Sequence, residues 1–508
     1  MTAERLTWGA ATPQVWWMHT HTAVRCVART AASLSLAAIL ALPAHAQTPT
    51  ALVQRAAVAM GGESALRALA STNYEFNAVA FGIGQEETPA SPARATLSYG
   101  RIVTDYRGVR RATNQESRAV SGVITRQRRI LAGGIGMTET NGTPTPDAPG
   151  VVANVVTDIR LLPDRLIVAA LDNPGALSAV TPRRFRGELM DGVRYANGPD
   201  TVSLWFDRLN GLLTAAERIT DDGVLGDRRN TAMYTRWADA GGVRLPREID
   251  SEANGRLVQH TVITLASTNV ALDESMFTIP DSVSKRALRG PVVVAPVVVN
   301  LVALGPNVWR AEGGSHHSLV VKQGNGLLVV EMPQNSARSR AVLDTLRSRF
   351  PGVPVRTAVG THHHWDHSGG VREYLAQGIP VVTHRRNVDF IRGIAAAKKT
   401  VAPDALSRTS RAPVVRAATD PLAIGTGDTR VEFIELPNTH VEGMLVAYVP
   451  SLRLLFVADV IQPGPGMSPL GSREVMALVR SRGMPVDRVV GAHAGIVPWA
   501  DVVSAAAR

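Results

Sequence analysis

Two different periods of hydrophobic and polar positions divide the chain into an earlier and a later region. From about residue 72 to 143, and again from 184 to 280, short apolar–polar runs alternate with turn signals such as LNG, DDG and AGG. This pattern is typical of antiparallel strands. From about residue 297, continuous apolar runs such as LLVVEM and VRTAVG alternate with helical segments such as 336–350. The first pattern predicts a β-rich domain, and the second predicts an α+β or α/β arrangement in which helices cover the sheets.

The earlier region also contains helical segments. Residues 51–71 have a helical pattern that is broken at Gly61 and Gly62, and two amphipathic segments lie between Val151 and Leu171. The stretches LWFDRLNGLL, YTRWADAGGVRLPREI and FTIP resemble motifs of periplasmic lipoprotein-carrier-type half-barrel domains. This resemblance implies a β-rich, half-barrel-like N-terminal domain with helices over residues 47–285. The concave face of the sheet would hold an apolar ligand, or the domain would serve simply as a spacer.

The N-terminus has the features of a secretory signal peptide. Arg25 and Arg29 precede the apolar run AASLSLAAILALPA, and the small-residue sequence AHA follows at residues 44–46. The run is too short to span a bilayer. We therefore expect a signal peptide over residues 1–46, a periplasmic or secreted protein, and no transmembrane anchor in the mature chain. The true start is Met1 or Met18.

Cysteine content and charge exclude several classes of function. Cys26 is the one cysteine and lies within the signal peptide, so the mature chain would have no thiol. That excludes cysteine nucleophiles, Fe–S clusters and thiolate zinc sites. The formal net charge is +11, and arginines are concentrated between residues 101 and 129. Few aromatic residues accompany these arginines, so we interpret them as solvated strand faces and expect no nucleic-acid partner.

The sequence GTHHHWDHSGG, residues 360–370, has the composition of a metal-binding loop. It follows the apolar run RTAVG, so its histidines come directly after a predicted strand. Side chains alternate along an extended backbone, so three polar side chains share one face while His363 points the other way. The side chains on the shared face are His362, His364 and Asp366. His367 would turn inward as the next helix begins, and this combination suits zinc or another borderline divalent ion.

Two metals would need further ligands from elsewhere in the chain. His440 in LPNTHVEGM and His493 in VVGAHAG occupy loops after or between predicted strands. Asp459 ends the apolar strand LLFVADV. A carboxylate in that position is costly to bury unless it is paired or binds a metal. These three residues are therefore candidates to complete a metal site.

The combined set resembles the signature of the metallo-β-lactamase-fold superfamily, in which H-x-H-x-D-H is followed by a histidine, a bridging aspartate and a final histidine. The resemblance covers about residues 297–508, after a linker at 286–296, and implies a C-terminal αββα sandwich. The implied ligands are His362, His364 and His440 for the first metal, Asp366, His367 and His493 for the second, and Asp459 as the bridge.

Other residues near the motif have supporting roles in this interpretation. The runs GSHHSLVV and LLVVEMP match the first hairpin of the family, except that Glu331 stands where the family usually has aspartate. Glu331, and His384 at the end of the predicted strand IPVVTH, are candidates to contact metal ligands or substrate. His316 and His317 are interpreted as hairpin residues near the rim of the pocket.

These features predict an exported dinuclear hydrolase with two Zn²⁺ ions, although iron or manganese would also suit the ligands. Two divalent ions can lower the pKa of a shared water enough to supply hydroxide near neutral pH. The candidate catalytic residues are Asp366, which would orient the nucleophile, and Asp459. The small-molecule substrate would contain an ester, lactone, thioester, amide or phosphodiester bond. The sequence has no G-x-S-x-G motif for a serine nucleophile.

Two other functions remain open. Dioxygenase-like metal-dependent oxidoreductases share the fold, although diiron members usually have glutamate at the position of His364. Alternatively, residues 47–285 make the chain a periplasmic protein that binds lipids or other apolar ligands. β-Lactamase activity itself is a narrower expectation, because an acid at the position of Asp459 resembles the glyoxalase II and lactonase branches more than the histidine-rich β-lactamases.

Overall fold

The computed structural model describes residues 47–197, 200–290, 296–419 and 421–508. The signal peptide expected at residues 1–46, and residues 291–295 of the expected linker, lie outside the described residues. In the described part of the chain, no helix is both long enough and apolar enough to cross a membrane.

A large antiparallel sheet forms the first part of the described chain. Within the described residues it has thirteen strands in the order β6-β5-β4-β3-β2-β1-β15-β14-β11-β10-β9-β8-β7, and a two-stranded ribbon of β12 and β13 lies beside it. The strands are β1 Ser71–Gly82, β2 Arg94–Asp105, β3 Arg110–Ala119, β4 Ile124–Ala132, β5 Ile135–Thr140, β6 Thr143–Pro146, β7 Leu177–Phe185, β8 Glu188–Asn197, β9 Asp200–Asp207, β10 Leu213–Asp222, β11 Gly226–Thr235, β12 Ala238–Asp239, β13 Arg244–Leu245, β14 Glu248–Ala253 and β15 Arg256–Thr268.

Helices cover part of this sheet, and the first four of them lie at positions that the apolar periodicity predicts. They are α1 Pro49–Ala59, α2 Glu63–Ala68, α3 Pro149–Arg160, α4 Pro163–Asp172 and, after the sheet, α5 Asp281–Ser284. α1 begins with a proline in its first turn, and the Thr48 hydroxyl accepts a hydrogen bond from Ala51 N. Leu52 of α1 and Leu166 of α4 pack in one core with Leu204 and Phe206 of β9. This arrangement confirms a β-rich N-terminal domain with helices.

Two further sheets and six helices form the second part of the described chain. In the described residues, one sheet has the order β16 to β22 and the other β23 to β28. The strands are β16 Asn300–Gly305, β17 Val308–Glu312, β18 Ser318–Gln323, β19 Gly326–Val330, β20 Val355–Gly360, β21 Val381–His384, β22 Val415–Ala418, β23 Leu422–Ile424, β24 Val431–Glu435, β25 Leu445–Val449, β26 Leu454–Val457, β27 Arg488–Gly491 and β28 Ile496–Pro498. The helices are α6 Ser336–Arg349, α7 Trp365–Ser368, α8 Val371–Ala376, α9 Val388–Ala396, α10 Pro469–Ser481 and α11 Trp499–Ala506.

The two sheets pack face to face between outer helices. Leu328 of β19 and Phe433 and Phe456 of the second sheet share the core between the sheets. On the outer side of β19, Val329 packs with α6 and α8, while α10 and α11 pack on the outer side of the second sheet. β19 is therefore buried on both faces, which explains its unbroken run of apolar residues. The four layers confirm the expected αββα sandwich.

Within the described residues, the two parts of the chain contact each other in two regions. Residues 47–508 form one unit. In the β10–β11 hairpin, the Asp227 carboxylate accepts hydrogen bonds from Thr400, and Lys399 forms an ion pair with Asp221. The second contact is made by the β1–β2 loop, residues 83–93, which reaches the segment that follows β20. The second contact bears directly on the site described next.

Candidate metal centre

Strand ends from both sheets of the αββα sandwich bring the predicted ligands together. β20 ends directly before the histidine-rich residues 361–364, which lead into α7. β26 and β27 each end two residues before a ligand candidate, at Asp459 and His493. An isolated antiparallel bridge between His316 and His493 joins the loops of the two sheets. The structure thereby brings together all seven ligand candidates from the sequence.

The first cluster contains three imidazole nitrogens and one carboxylate oxygen. Its members are His362, His364, His440 and Asp459. Asp459 Oδ2 lies 3.2 Å from His362 Nε2, 3.0 Å from His440 Nε2 and 3.9 Å from His364 Nδ1. His440 Nε2 is 3.1 Å from His364 Nδ1. Three histidines with one carboxylate form a donor set that suits a zinc ion.

The second cluster lies on the other side of Asp459. Its members are His316, Asp366, His367 and His493. His367 Nε2 is 3.1 Å from His493 Nε2 and 3.8 Å from Asp366 Oδ2. His316 Nε2 is 3.3 Å from the same Asp366 oxygen. Asp366, His367 and His493 are the predicted ligands of the second metal. His316 was not predicted as a ligand and joins them in this cluster.

The carboxylate of Asp459 is shared between the two clusters. Its Oδ2 atom faces the first cluster, and its Oδ1 atom lies 2.9 Å from His367 Nε2 and 2.8 Å from His493 Nε2. The side chain is 9% exposed. A carboxylate that offers one oxygen to each of two ligand clusters has the geometry of a bridge between two ions.

Hydrogen bonding inside the clusters is incomplete in a way that a metal explains. Within the described residues, Asp459 Oδ1 and His362 Nε2 are buried and have no hydrogen-bond partner, despite their close neighbours. Such atoms are costly to bury unsatisfied. Donors about 2.1 Å from a tetrahedral ion lie roughly 3.4 Å from one another, close to the separations in both clusters. The residues present therefore fit two divalent ions.

Burial and neighbouring charges shift the pKa values of the ligands. Burial, with a contribution from nearby His367, lowers the pKa of His362 well below its usual value, so His362 is neutral. Burial raises the pKa of Asp459, but the surrounding imidazoles outweigh this effect and hold that pKa well below its usual range. A neutral imidazole and an ionised carboxylate are the forms that bind a metal ion.

At His367, a proton would compete with a metal ion for the imidazole. Burial lowers its pKa, but the Glu331 and Asp459 carboxylates reverse this effect and raise the pKa well above the usual value. A metal ion at the second cluster must therefore displace a proton from this imidazole.

Glu331 holds two parts of the histidine motif in place. It is fully buried, its Oε2 atom contacts His367 Nδ1, and its Oε1 atom accepts a hydrogen bond from Thr361 N at 2.9 Å. A carboxylate on Nδ1 orients the ring so that Nε2 faces the metal cluster. Glu331 thus contacts a ligand of the second cluster in the way that the sequence analysis expected of a supporting residue.

Backbone strain is concentrated beside the ligands. Glu331, Asp459 and Ala494 have φ angles of 79°, 41° and 57°, in the left-handed region that non-glycine residues rarely adopt. Glu331 supports His367, and Ala494 follows His493. Strained conformations of this kind cost of order 1–3 kcal/mol each and persist where the surrounding structure requires them, commonly at functional sites.

The other histidines near the motif occupy different surroundings. His384 Nε2 lies 3.1 Å from Glu435 Oε2 and belongs to neither cluster. The His363 ring is buried beside Phe390, with no hydrogen-bond partner for either nitrogen within the described residues, and burial lowers its pKa to about 3. His317 also lies outside both clusters, and burial lowers its pKa to about 4.

Sequence reasoning missed two contributors to the site. It interpreted His316 as a rim residue of the hairpin, whereas His316 is 7% exposed and its ring centroid lies 3.9 Å from that of His493. Two consecutive histidines after a glycine pair, in GGSHHSLVV, were the available signal. The β1–β2 loop was also missed: Gln85 Nε2 donates a hydrogen bond of 2.9 Å to Asp366 Oδ1. No local pattern around residue 85 pointed to this contact.

Comparisons with known proteins find similarity in the C-terminal part of the chain. Residues 311–493 match the family model described as the metallo-beta-lactamase superfamily. A curated relative, the 2,4-dinitroanisole O-demethylase subunit alpha of Nocardioides sp. (strain JS1661), is 25% identical over 159 residues, which is 31% of this chain and 45% of the relative. The match thus spans less than half of that relative's length.

Similar solved structures include two metallo-β-lactamases. The enzyme from Pontibacter korlensis is 18% identical, with a TM-score of 0.33 over 41% of this chain and 96% of the other. FIM-1 from Pseudomonas aeruginosa is 15% identical, with a TM-score of 0.34 over 42% of this chain and 94% of the other. At these low identities and TM-scores, the structural likeness supports no functional conclusion.

Proposed function

We propose that this chain is a dinuclear zinc-dependent hydrolase of the metallo-beta-lactamase superfamily, whose family model matches residues 311–493. The observation that carries the proposal is the placement of Asp459, whose two oxygens face two separate clusters of imidazoles. A site for one metal would not need a carboxylate divided in this way. When bound, two divalent ions would lower the pKa of a shared water and polarise the bond to be broken.

The residues of the two clusters would have different roles in metal binding and substrate approach. The first cluster has no aspartate besides Asp459, so its three histidines would hold a metal without adding negative charge. In the second cluster, Asp366 has a side chain that is 39% exposed, and the side chain of His440 in the first is 26% exposed. These two ligands border the open side of the site, so substrate would approach there. We therefore assign Asp366 two roles, binding a metal and orienting the attacking water.

The substrate class follows from hydrolytic chemistry at such a centre. We propose a small molecule with an ester, lactone, thioester, amide or phosphodiester bond. The name of the curated relative adds a second candidate, an activated aryl methyl ether. Cleavage of that bond by water would give a phenol and methanol, with no oxidant required, so one centre could serve either reaction.

Zinc suits the donor set because imidazole and carboxylate ligands without thiolates are common in its catalytic sites. Iron and manganese accept overlapping ligands. Metal analysis of the purified protein separates these cases: zinc supports the hydrolase, whereas iron together with redox activity would support the oxygenase-like alternative.

We also propose that the protein is exported. The support is the charged and apolar pattern of residues 25–46. The mature chain is expected to begin near Gln47 and to be recovered from the periplasm or the medium, as measured by intact mass after cell fractionation. A protein that keeps residues 1–46 in the cytoplasm would contradict export without affecting the proposed chemistry.

The function itself is tested by a substrate panel on metal-analysed protein. The panel contains the five hydrolysable bond types and an activated aryl methyl ether. We expect close to two zinc ions per chain, turnover of at least one class, loss of turnover after chelation, and recovery on adding Zn²⁺. A protein that binds two zinc ions but cleaves no member of the panel, or cleaves one equally well after complete metal removal, would contradict the proposal.

A further inference from the structure

Five segments of the αββα sandwich provide the candidate metal ligands. A further segment, from the N-terminal domain, contacts these ligands. The β1–β2 loop, residues 83–93, lies against the histidine motif. Its Gln85 side chain binds Asp366, and its Glu86 carbonyl oxygen lies 2.8 Å from His364 Nε2. The loop therefore contacts one ligand of each cluster.

The Gln85 contact determines which oxygen of Asp366 faces the metal cluster. The Gln85 amide donates to Oδ1, while Oδ2 points toward His316 and His367. A glutamine amide in this position removes the rotational freedom of an otherwise 39% exposed carboxylate. Mutation of groups that hold a metal ligand in orientation typically costs about 10–100-fold in metal affinity or activity.

The Glu86 contact determines the tautomer of His364. With Nε2–H donating to the Glu86 carbonyl, the lone pair of Nδ1 is directed at the first cluster, where it meets His440 Nε2 at 3.1 Å. The Glu86 side chain is buried, accepts a hydrogen bond from Gly84 N and pairs with Arg256. The carbonyl is therefore held by an ion pair that lies entirely within the N-terminal domain.

Close packing fixes the loop against the motif. Trp365 N donates to the Gly84 carbonyl oxygen at 3.2 Å. A Cβ atom at Gly84 would lie 2.2 Å from the Trp365 ring, so only glycine fits here. Glu442 N, two residues after His440, donates to the Glu87 carbonyl oxygen at 2.9 Å. These contacts reach both sides of the open face of the site.

We propose that the N-terminal domain is part of the metal centre, with Gln85 and Glu86 as positioning residues for Asp366 and His364. The inference rests on the proposed dinuclear function, because it assigns to the loop a role in binding those metals. It also gives the β-rich domain a role that neither a spacer nor an independent ligand carrier requires.

The first test removes the Gln85 amide while keeping the length of the side chain. In full-length Gln85→Met, we expect the affinity of the more weakly bound Zn²⁺ to fall by about 10–100-fold, with the other ion and the thermal stability of the metal-free protein little changed. Gln115→Met is the matched control, since Gln115 donates a bond of the same 2.9 Å length to Ser117 away from the site. Affinities come from titration of metal-free protein with Zn²⁺ against a chromophoric chelator.

The second test displaces the whole loop. Gly84→Ala adds a Cβ that meets Trp365, whereas Gly122→Ala introduces the same backbone strain in open space, because the φ angles are +85° and +84°. We expect Gly84→Ala to weaken both Zn²⁺ ions and to alter the absorption spectrum of the Co²⁺-substituted protein, which reports ligand geometry. Gly122→Ala should leave both unchanged.

The outcomes separate this inference from the function on which it rests. If the unmodified protein binds fewer than two ions, the proposed dinuclear function fails. If it binds two, and Gln85→Met and Gly84→Ala match their controls in Zn²⁺ affinity and Co²⁺ spectrum, the positioning role of the loop is overturned. Selective loss of affinity in both variants would support it.

Discussion

Replacing Asp459 with asparagine tests the bridge between the two clusters. The carboxylate places one oxygen 3.0 Å from His440 Nε2 and the other 2.8 Å from His493 Nε2. Asparagine keeps the shape but has a single oxygen, so its NH₂ group must face one cluster. The first cluster retains three imidazoles whichever way the amide turns. The second cluster retains three imidazoles and the carboxylate of Asp366. We therefore expect both ions to bind more weakly, because both clusters lose the shared negative charge of Asp459.

The size of the effect follows from the position of Asp459 among the ligands. Changes to residues that only contact metal ligands cost about 10–100-fold in metal affinity or activity. Asp459 is itself a proposed ligand and also loses its charge, so we expect at least the upper end of this range. A hundredfold loss corresponds to about 2.7 kcal/mol of binding free energy. Turnover should fall by at least the same factor.

The metal-free protein provides an independent readout of the same substitution. From the sequence, removal of a buried charge predicts little change in stability, or a gain. The structure favours the opposite sign. Although burial raises the Asp459 pKa, the surrounding imidazoles hold it well below its usual range, so the folded metal-free protein already stabilises the ionised carboxylate. Asp459→Asn should therefore lower the melting temperature of the metal-free protein.

Metal stoichiometry, Zn²⁺ affinity, turnover and metal-free melting temperature are measured on one preparation of the variant. Asp487→Asn is the matched control, because Asp487 is 60% exposed and pairs with Arg453 at the surface. Asp459→Asn with two tightly bound ions and full turnover would refute the reasoning, since the carboxylate would then be a structural group and the dinuclear mechanism would have no bridge.

Two further predictions concern neighbouring side chains and a buried ion pair. His363→Ala should leave the metal stoichiometry unchanged, because His363 belongs to neither cluster, whereas His364→Ala should lose metal; equal losses measured by elemental analysis would contradict the assigned orientation. Asp404→Asn should lower the free energy of unfolding by about 3–5 kcal/mol, because it leaves the buried Arg372 without its carboxylate partner. Denaturant titration measures this loss, and the exposed Asp389→Asn is the control. Burial raises the Asp404 pKa, but Arg372 and other donors lower it below its usual value, so this contribution should be present above about pH 4 and diminish as the pH falls through the lowered folded-state pKa.

The elements of the C-terminal domain were predictable because their signals are local. An unbroken apolar run such as LLVV reports a strand buried on both faces, and β19 is such a strand. The spacing of H-x-H-x-D-H determines which side chains share a face, independently of distant contacts. Histidines and an aspartate directly after apolar strands carry the same kind of local information, because few other arrangements satisfy a polar group there.

The missing parts of the site depend on contacts between distant residues. His316 joins the second cluster because a single bridge with His493 draws the loop after β17 toward the end of β27. Gln85 is an ordinary loop glutamine until the fold places it against Asp366. Neither residue type is distinctive at its position, and one sequence does not reveal which loops meet. The sequence-based prediction therefore missed long-range contacts, whereas it identified the chemistry of the ligands.

The contacts of the β1–β2 loop also bear on what the N-terminal domain does. A domain that served only as a spacer would need a stable interface, and the contact between the β10–β11 hairpin and residues 399–400 already provides one. It would not need an amide on a metal-ligand carboxylate, a carbonyl that sets a histidine tautomer, or a glycine that admits the Trp365 ring. A lipid carrier attached to an enzyme would not need them either. Because these contacts converge on candidate ligands of both clusters, we infer that the sandwich domain, with its seven predicted ligands, needs the β-rich domain to complete the proposed metal centre.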